Sequence, residues 1–262
     1  MNASHLTPVE EASTVTRLTS LIAPESVRGR ADEIVQRISE AIHLGLLNEG
    51  DRLPSEIDLA AQFGVAAMTI RESLAALRDA GLVETRRGRT GGSFIQRPRG
   101  ATVDQVRRKL SAMTISELRD LTDEHQAIAG QAARLAAERG SPANVRRLFA
   151  LTEQLGAAAT QVDRVRADCR FHVEIAVASQ SIRLTRREVE LQAELSELLW
   201  LPSAGESEVA VATDAHHAIA AAVLAEDAPE ARRLAEEHVT ANLRRLSQLR
   251  LSLADPDGSM EA

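Results

Sequence analysis

Asp168, His172, His216 and His238 have the residue types and spacing of a buried divalent-metal site. Asp168 and His172 stand four apart in RADCRFHVEIA and so share one face of a helix. Ile175 and Ala176 continue that face, which therefore points into a core. A lone carboxylate there is costly unless it is paired or bound to a cation. His216 lies in TDAHHAIAAAVLAED with Ile219 and Val223 on its inward side, and His238 lies in ARRLAEEHVTANL beside Leu234 and Val239. Each is eleven residues from Asp227, in a stretch (227–229) that breaks the helical pattern. Two helices hinged there form an antiparallel pair in which equidistant positions are level, so the two imidazoles face each other. Any one of these histidines, taken alone, reads as an ordinary core or surface residue. Together, three imidazoles and one carboxylate suit a divalent transition ion, most readily Zn²⁺, with Ni²⁺ as the alternative. Four protein ligands leave open positions for water or a ligand carboxylate.

Helices must position these side chains. Helical period resumes near Val103 and persists to about Leu251, with breaks near 113–116, 140–142, 159–163, 179–181, 202–205 and 227–229. The breaks predict six or seven helices joined by short loops, an antiparallel bundle over 104–251. Leu191, Leu195, Leu198 and Leu199 form a face too extensive for one bundle core and point to a homodimer. Residues 252–262 read as a flexible tail.

The first part of the chain has a different pattern. Residues 1–25, rich in Ser, Thr and Glu, show no period and read as a second flexible tail. From Ala31, Ile34, Val35, Ile38, Ala41 and Ile42 recur at helical spacing. Ser55, with Asp58 three residues on, is a natural N-cap for a helix over 56–63 that buries Leu59, Ala60 and Phe63 and ends at Gly64. A second helix over 67–80 turns Ile70, Leu74 and Leu77 inward and ends at Gly81. Short strands over 82–85 and 93–96 then flank a glycine-rich tip, 86–92. This is the layout of a winged helix-turn-helix, which sets its second helix in the DNA major groove. The leading half of that helix offers Ala66, Ala67, Met68, Thr69 and Arg71. Arg71 can fork onto guanine, worth roughly 1–3 kcal/mol of discrimination; a surface ion pair with Glu56 or Glu72 is its alternative. Arg86, Arg87 and Arg89, around Gly88, continue to Arg97 and Arg99 with no acid between them, a stripe fit for phosphates. The domain spans 26–97, and a linker around Pro98-Arg99-Gly100 covers 98–103.

Composition bounds the rest. The chain has 262 residues, 44% hydrophobic and 26% charged, as a globular protein does. No apolar run approaches the ~18 residues of a membrane span, and MNASHLTPVEEAS lacks the basic and apolar segments of a signal peptide. Cys169 is the single cysteine, which excludes an intrachain disulfide and suits a reducing cytoplasm. A net charge of −7 argues against a generally basic nucleic-acid binder, but residues 26–97 hold ten Arg and ten acids, so this segment is neutral with a local basic stripe.

Residues 28–96 resemble the DNA-binding domain of GntR-type bacterial regulators, through GDRLPSE, LAAQFGV, MTIRESLAALRDAGLVE and RRGRTGGSFI. The resemblance implies that Arg71 and the wing glycines around Gly88 contact double-stranded operator DNA. Ile57 and Ala67 stand where the family commonly has arginines, which shifts weight to Arg71, Thr69 and the wing arginines. Residues 117–250 resemble the FCD effector domain of the FadR-type branch, through QAARLAAER, DCRFHVEIAVAS and HHAIAAAVLAEDAPEARRLAEEH. The resemblance implies that Asp168, His172, His216 and His238 hold a metal in an effector pocket, with His217 turned away. Family members often have Arg and Glu in the first long helix; here those positions are His125 and Ala129. His125 and Asn242 are candidates for the effector pocket, although His125 also reads as a surface residue.

Three functions follow from these readings. The first is a cytoplasmic repressor, associated with the nucleoid when bound to DNA, whose operator affinity a small organic acid controls at the metal. The second is a metal sensor in which the ion is the signal. The third is a metallohydrolase with metal-activated water. Hydrolysis lacks a general base, since Glu174 follows His172 by two and points elsewhere, and it leaves the wing unexplained. The first reading is the expectation.

Overall fold

Ile34, Ile38, Ala41 and Ile42 recur on one face of the first helix, α1 (Ala31–His43), and all four are buried. The computed structural model describes residues 31–88, 91–200 and 205–254, in two units that part between Arg99 and Gly100. In the first unit, α1 and α2 (Glu56–Phe63) both pack on α3 (Ala67–Asp79). The Ser55 hydroxyl accepts from the Asp58 amide at 3.2 Å and opens α2, and Gly64, at φ 66°, closes it. Leu59, Phe63, Ile70, Leu74 and Leu77 are buried, as the periodicity predicts.

The wing is an antiparallel pair, β1 (Val83–Arg86) and β2 (Gly92–Ile95), with Val83 opposite Ile95 and Arg86 opposite Gly92. Both strands are displaced by one residue from the expected 82–85 and 93–96. The reason lies at the end of α3: the Leu82 amide bonds the Leu77 carbonyl at 2.9 Å, so Leu82 belongs to the helix terminus. Arg86 thereby joins the ribbon rather than its tip. Residues 50–53 run along the far side of β2, where the Gly50 and Leu53 amides donate to Ile95 O and Ser93 O at 3.0 and 2.9 Å. Nothing in the local sequence marks that third edge.

The second unit contains seven helices among the described residues: α4 (Val103–Ala112), α5 (Ile115–Arg139), α6 (Pro142–Gly156), α7 (Gln161–Ala178), α8 (Ile182–Leu199), α9 (Glu206–Leu224) and α10 (Ala228–Ala254). Thr102, Thr114, Ser141, Thr160 and Ser181 cap α4 to α8, each accepting a backbone N–H. The core is rich in alanine, with Ala132, Ala133, Ala136, Ala176, Ala220 and Ala231 at 1% exposure or less. Small side chains let the helices approach closely: a Cβ at Gly130 of α5 would lie 2.6 Å from the Glu236 side chain of α10.

Two further expectations change. α10 continues to Ala254, into the segment expected to be a tail (252–262), while 255–262 and the tail 1–25 lie outside the described residues. Leu191, Leu195, Leu198 and Leu199 are already buried within the single chain and so give no argument for a dimer. α8 touches α4, α5, α7 and α10, so it needs apolar residues around most of its circumference. No helix among the described residues is long and apolar enough to cross a membrane.

Candidate functional site

α7 supplies Asp168 and His172, α9 supplies His216 and α10 supplies His238, all buried. One ligating atom from each lies within 4.8 Å of the others. The His172 ring centre is 5.1 Å from that of His216 and 5.2 Å from that of His238, and His216 is 4.9 Å from His238. His216 Nε2 stands 3.4 Å from Asp168 Oδ1. Phe171 stacks flat on His216 at 3.9 Å and walls that ring off with apolar surface. His217 is exposed on the opposite side, its ring 5.3 Å from Phe149.

These residues fit a cation. Asp168 Oδ2, His172 Nε2 and both ring nitrogens of His216 are buried with no hydrogen-bond partner among the described residues. A buried polar atom left in that state costs about 1–3 kcal/mol, and a single ion ligated by the cluster relieves several at once. Burial lowers His172 to about 4 and His238 to about 3, and pushes His216 well below the ordinary imidazole value; neighbouring imidazoles add to this for His216 and His238. The imidazoles are therefore neutral at pH 7, with lone pairs available. Burial raises Asp168, against the pull of His238, Trp200 and Arg245. A cation in the cluster would favour the Asp168 carboxylate.

Around this centre lie the two effector-pocket candidates, His125 and Asn242, and three residues that the sequence reading did not name, Glu188, Gln192 and Arg245. His125, on α5, is 2% exposed rather than on the surface, its Nε2 is 3.1 Å from Glu188 Oε1, and its ring is 5.8 Å from His172. Glu188 and Gln192 on α8 are also buried. Burial would raise the Glu188 carboxyl, but His125, His172 and Gln192 outweigh it and hold the group below its ordinary value. On α10, Asn242 Nδ2 is 3.2 Å from His238 Nε2. His238, Asn242 and Arg245 line a cavity of about 470 Å³ between α9 and α10. Arg245 was findable, because it continues the face of His238 and Asn242 at helical spacing. Glu188 and Gln192 were not, since a polar stripe on a helix normally reads as a solvated face. Glu174 turns to α6, where Asn144 Nδ2 donates to it at 2.8 Å and Arg147 lies at 3.5 Å.

In the first unit the leading turns of α3 carry the expected DNA-facing residues. Met68 is 60% exposed, Ala67 and Thr69 are half-buried, and Arg71 is exposed. The Arg71 guanidinium is held by Glu56, Nε to Oε2 at 2.7 Å, the surface pair named as its alternative. Ile57, beside Glu56, is 76% exposed. In the wing, Arg86 pairs with Glu84 and lies over the Phe94 ring at 4.3 Å. Arg87 lines a cavity of about 650 Å³ with Arg52, Arg78 and Ser55. Gly88 adopts φ 108°, a backbone conformation that other residues rarely take. Arg89 lies outside the described residues.

Comparison with known proteins agrees with this architecture. Residues 30–94 match the family described as "Bacterial regulatory proteins, gntR family", and residues 117–241 match the FCD domain. The chain is 42% identical over 246 residues to RmpR of Mycobacterium gastri, named as an HTH-type transcriptional regulator, covering 89% of this chain and 90% of that one. It is 32% identical over 161 residues to an Escherichia coli K12 protein named for regulation of the L-lactate dehydrogenase operon, covering 60% of this chain and 61% of that one. The E. coli McbR/YncC structure shares the fold at a TM-score of 0.51 and 19% identity, over 85% of this chain and 99% of that one. The winged domain, the helical unit with its buried His/Asp cluster and these matches place the chain in the GntR family of bacterial transcriptional regulators, in the branch with an FCD domain, and not among enzymes.

Proposed function

We propose that this regulator binds its operator as a homodimeric repressor and releases it when a small carboxylate metabolite binds at a zinc centre formed by Asp168, His172, His216 and His238, with nickel as the alternative ion. The carrying observation is the convergence of one carboxylate and three neutral imidazoles from three helices, several of their lone pairs unsatisfied. When bound, the ion supplies a Lewis-acidic position for a carboxylate oxygen. Asn242 orients His238 through their 3.2 Å contact, and Arg245 brings a positive charge to the same cavity. A relative named for the L-lactate dehydrogenase operon supports an organic acid as the effector class. The dimer follows from the winged domain, because paired half-sites require a two-fold axis.

Calorimetry with Zn²⁺ on His216→Ala and His217→Ala separates the site residue from its neighbour. His216→Ala loses metal affinity and His217→Ala keeps it; equal affinity in both variants removes the site. With metal held constant, an organic acid weakens operator binding, and a 100-fold preference between states corresponds to about 2.7 kcal/mol. Operator binding that follows the ion alone, with no response to any acid, identifies a metal sensor instead.

A further inference from the structure

Thr185, Glu188, Gln192 and Ser196 recur at three- and four-residue steps along α8, and all four are buried. A polar stripe inside a helical core is tolerated when its members are bonded. Thr185 is satisfied, donating to Ala176 O at 3.1 Å. Glu188 and Gln192 are only half satisfied. Glu188 Oε1 accepts from Gln192 Nε2 at 2.9 Å and stands 3.1 Å from His125 Nε2. Glu188 Oε2 and Gln192 Oε1 have no partner among the described residues, although the two residues are 1% and 0% exposed. Reversing the Gln192 amide does not help, because it would set two acceptor oxygens against each other. Both orphaned atoms are acceptors, so the missing partner is a donor. The place is also informative. Ligating atoms of His125, His172 and Glu188 lie within 4.8 Å of one another, and His172 belongs equally to the Asp168 cluster.

We propose that Glu188 and Gln192, steadied by His125, receive the hydrogen-bond-donor end of the effector, a hydroxyl or ammonium group, while its carboxylate sits at the Asp168–His172–His216–His238 centre. This rests on the effector reading above and names the effector class: a short carboxylic acid with a donor at its other end. In each set the other ligating atoms lie no more than 4.8 Å from that of the shared His172, close enough for a small metabolite to span the two. A plain carboxylic acid of the same length leaves both acceptors shut in without a partner, and sites built to hydrogen-bond a group discriminate against analogues that lack it.

Calorimetry on the zinc-loaded full-length protein tests this with propionate, butyrate and valerate, each against its ω-hydroxy and ω-amino derivative. At one chain length a derivative binds about tenfold or more tightly than its parent, the effect of satisfying one buried acceptor, and the two arms identify the donor. Gln192→Met, similar in length but without the acceptor oxygen, removes most of that advantage. Glu188→Gln, which keeps the shape and removes the charge, is the second variant and reduces the advantage of an ammonium more than that of a hydroxyl. Parents that bind as tightly as their derivatives at every length overturn the inference and leave the carboxylate effector standing. A second zinc per chain that disappears in Glu188→Gln also overturns it, because His125, His172 and Glu188 then form a cation site. If no acid binds at all, the effector reading falls and this inference with it.

Discussion

The site imidazoles keep free lone pairs at neutral pH because burial opposes their protonation, and the same fact makes the ligand-free protein acid-sensitive. His172 and His238 titrate at about 4 and about 3 in the folded chain and near 6.5 when unfolded. Below pH 6.5 the unfolded state therefore binds protons that the folded state refuses. Stability contributed by each is present above pH 6.5 and falls by about 1.4 kcal/mol per pH unit as pH drops toward the folded values. Asp168, raised by burial, works in the opposite sense and offsets part of the loss. Urea melts of the chelated protein should show the midpoint falling steadily from pH 6.5 to 4.5, with His172→Gln flattening the slope. A midpoint independent of pH over that range contradicts the neutral, buried cluster. The four metal candidates were legible because Asp-x-x-x-His and the equal spacing about Asp227 are linear signals. Burial of His125 and Glu188 was not, since it depends on how α5 and α8 meet.

At the scale of elements, the proposed function expects α3 and the wing to divide the work of binding DNA. Arg71 is tied to Glu56 at 2.7 Å on an exposed surface, where such a pair is worth at most about 1 kcal/mol, so a guanine can displace the carboxylate. Arg71→Ala should cost roughly 1–3 kcal/mol per half-site and relax sequence preference. Arg87→Ala should weaken all sequences alike and flatten the salt dependence. Fluorescence anisotropy over a salt series separates the two; unchanged operator affinity in Arg71→Ala would refute the assigned register. The helical unit depends on its caps in a comparable way. Thr114 accepts from the Glu117 amide at 3.1 Å and its own amide donates to Glu117 Oε2 at 2.7 Å, which fixes the start of the helix that carries His125. Thr114→Ala should lower stability by about 1 kcal/mol in denaturant melts. A loss near zero would mean that tertiary packing alone fixes that terminus.

For the whole molecule, the dimer rests on the logic of DNA half-sites, since the leucines of α8 are consumed by the protomer's own core. Sedimentation at micromolar concentration should give twice the 28.3 kDa chain mass; a monomer there would remove the two-fold operator from the proposal.

The sequence by itself determined the winged domain, a bundle of six or seven helices and the four candidate ligands, because helical period, turn signals and turn-centred spacing are local or one-dimensional properties. Only the tertiary structure decided the strand register, where the end of α3 takes Leu82, and the third edge at 50–53. It alone chose Glu56 over Glu72 as the partner of Arg71 and enclosed Glu188 and Gln192. Which polar residues lose water depends on the helices packed around them, and no spacing along the chain carries that information.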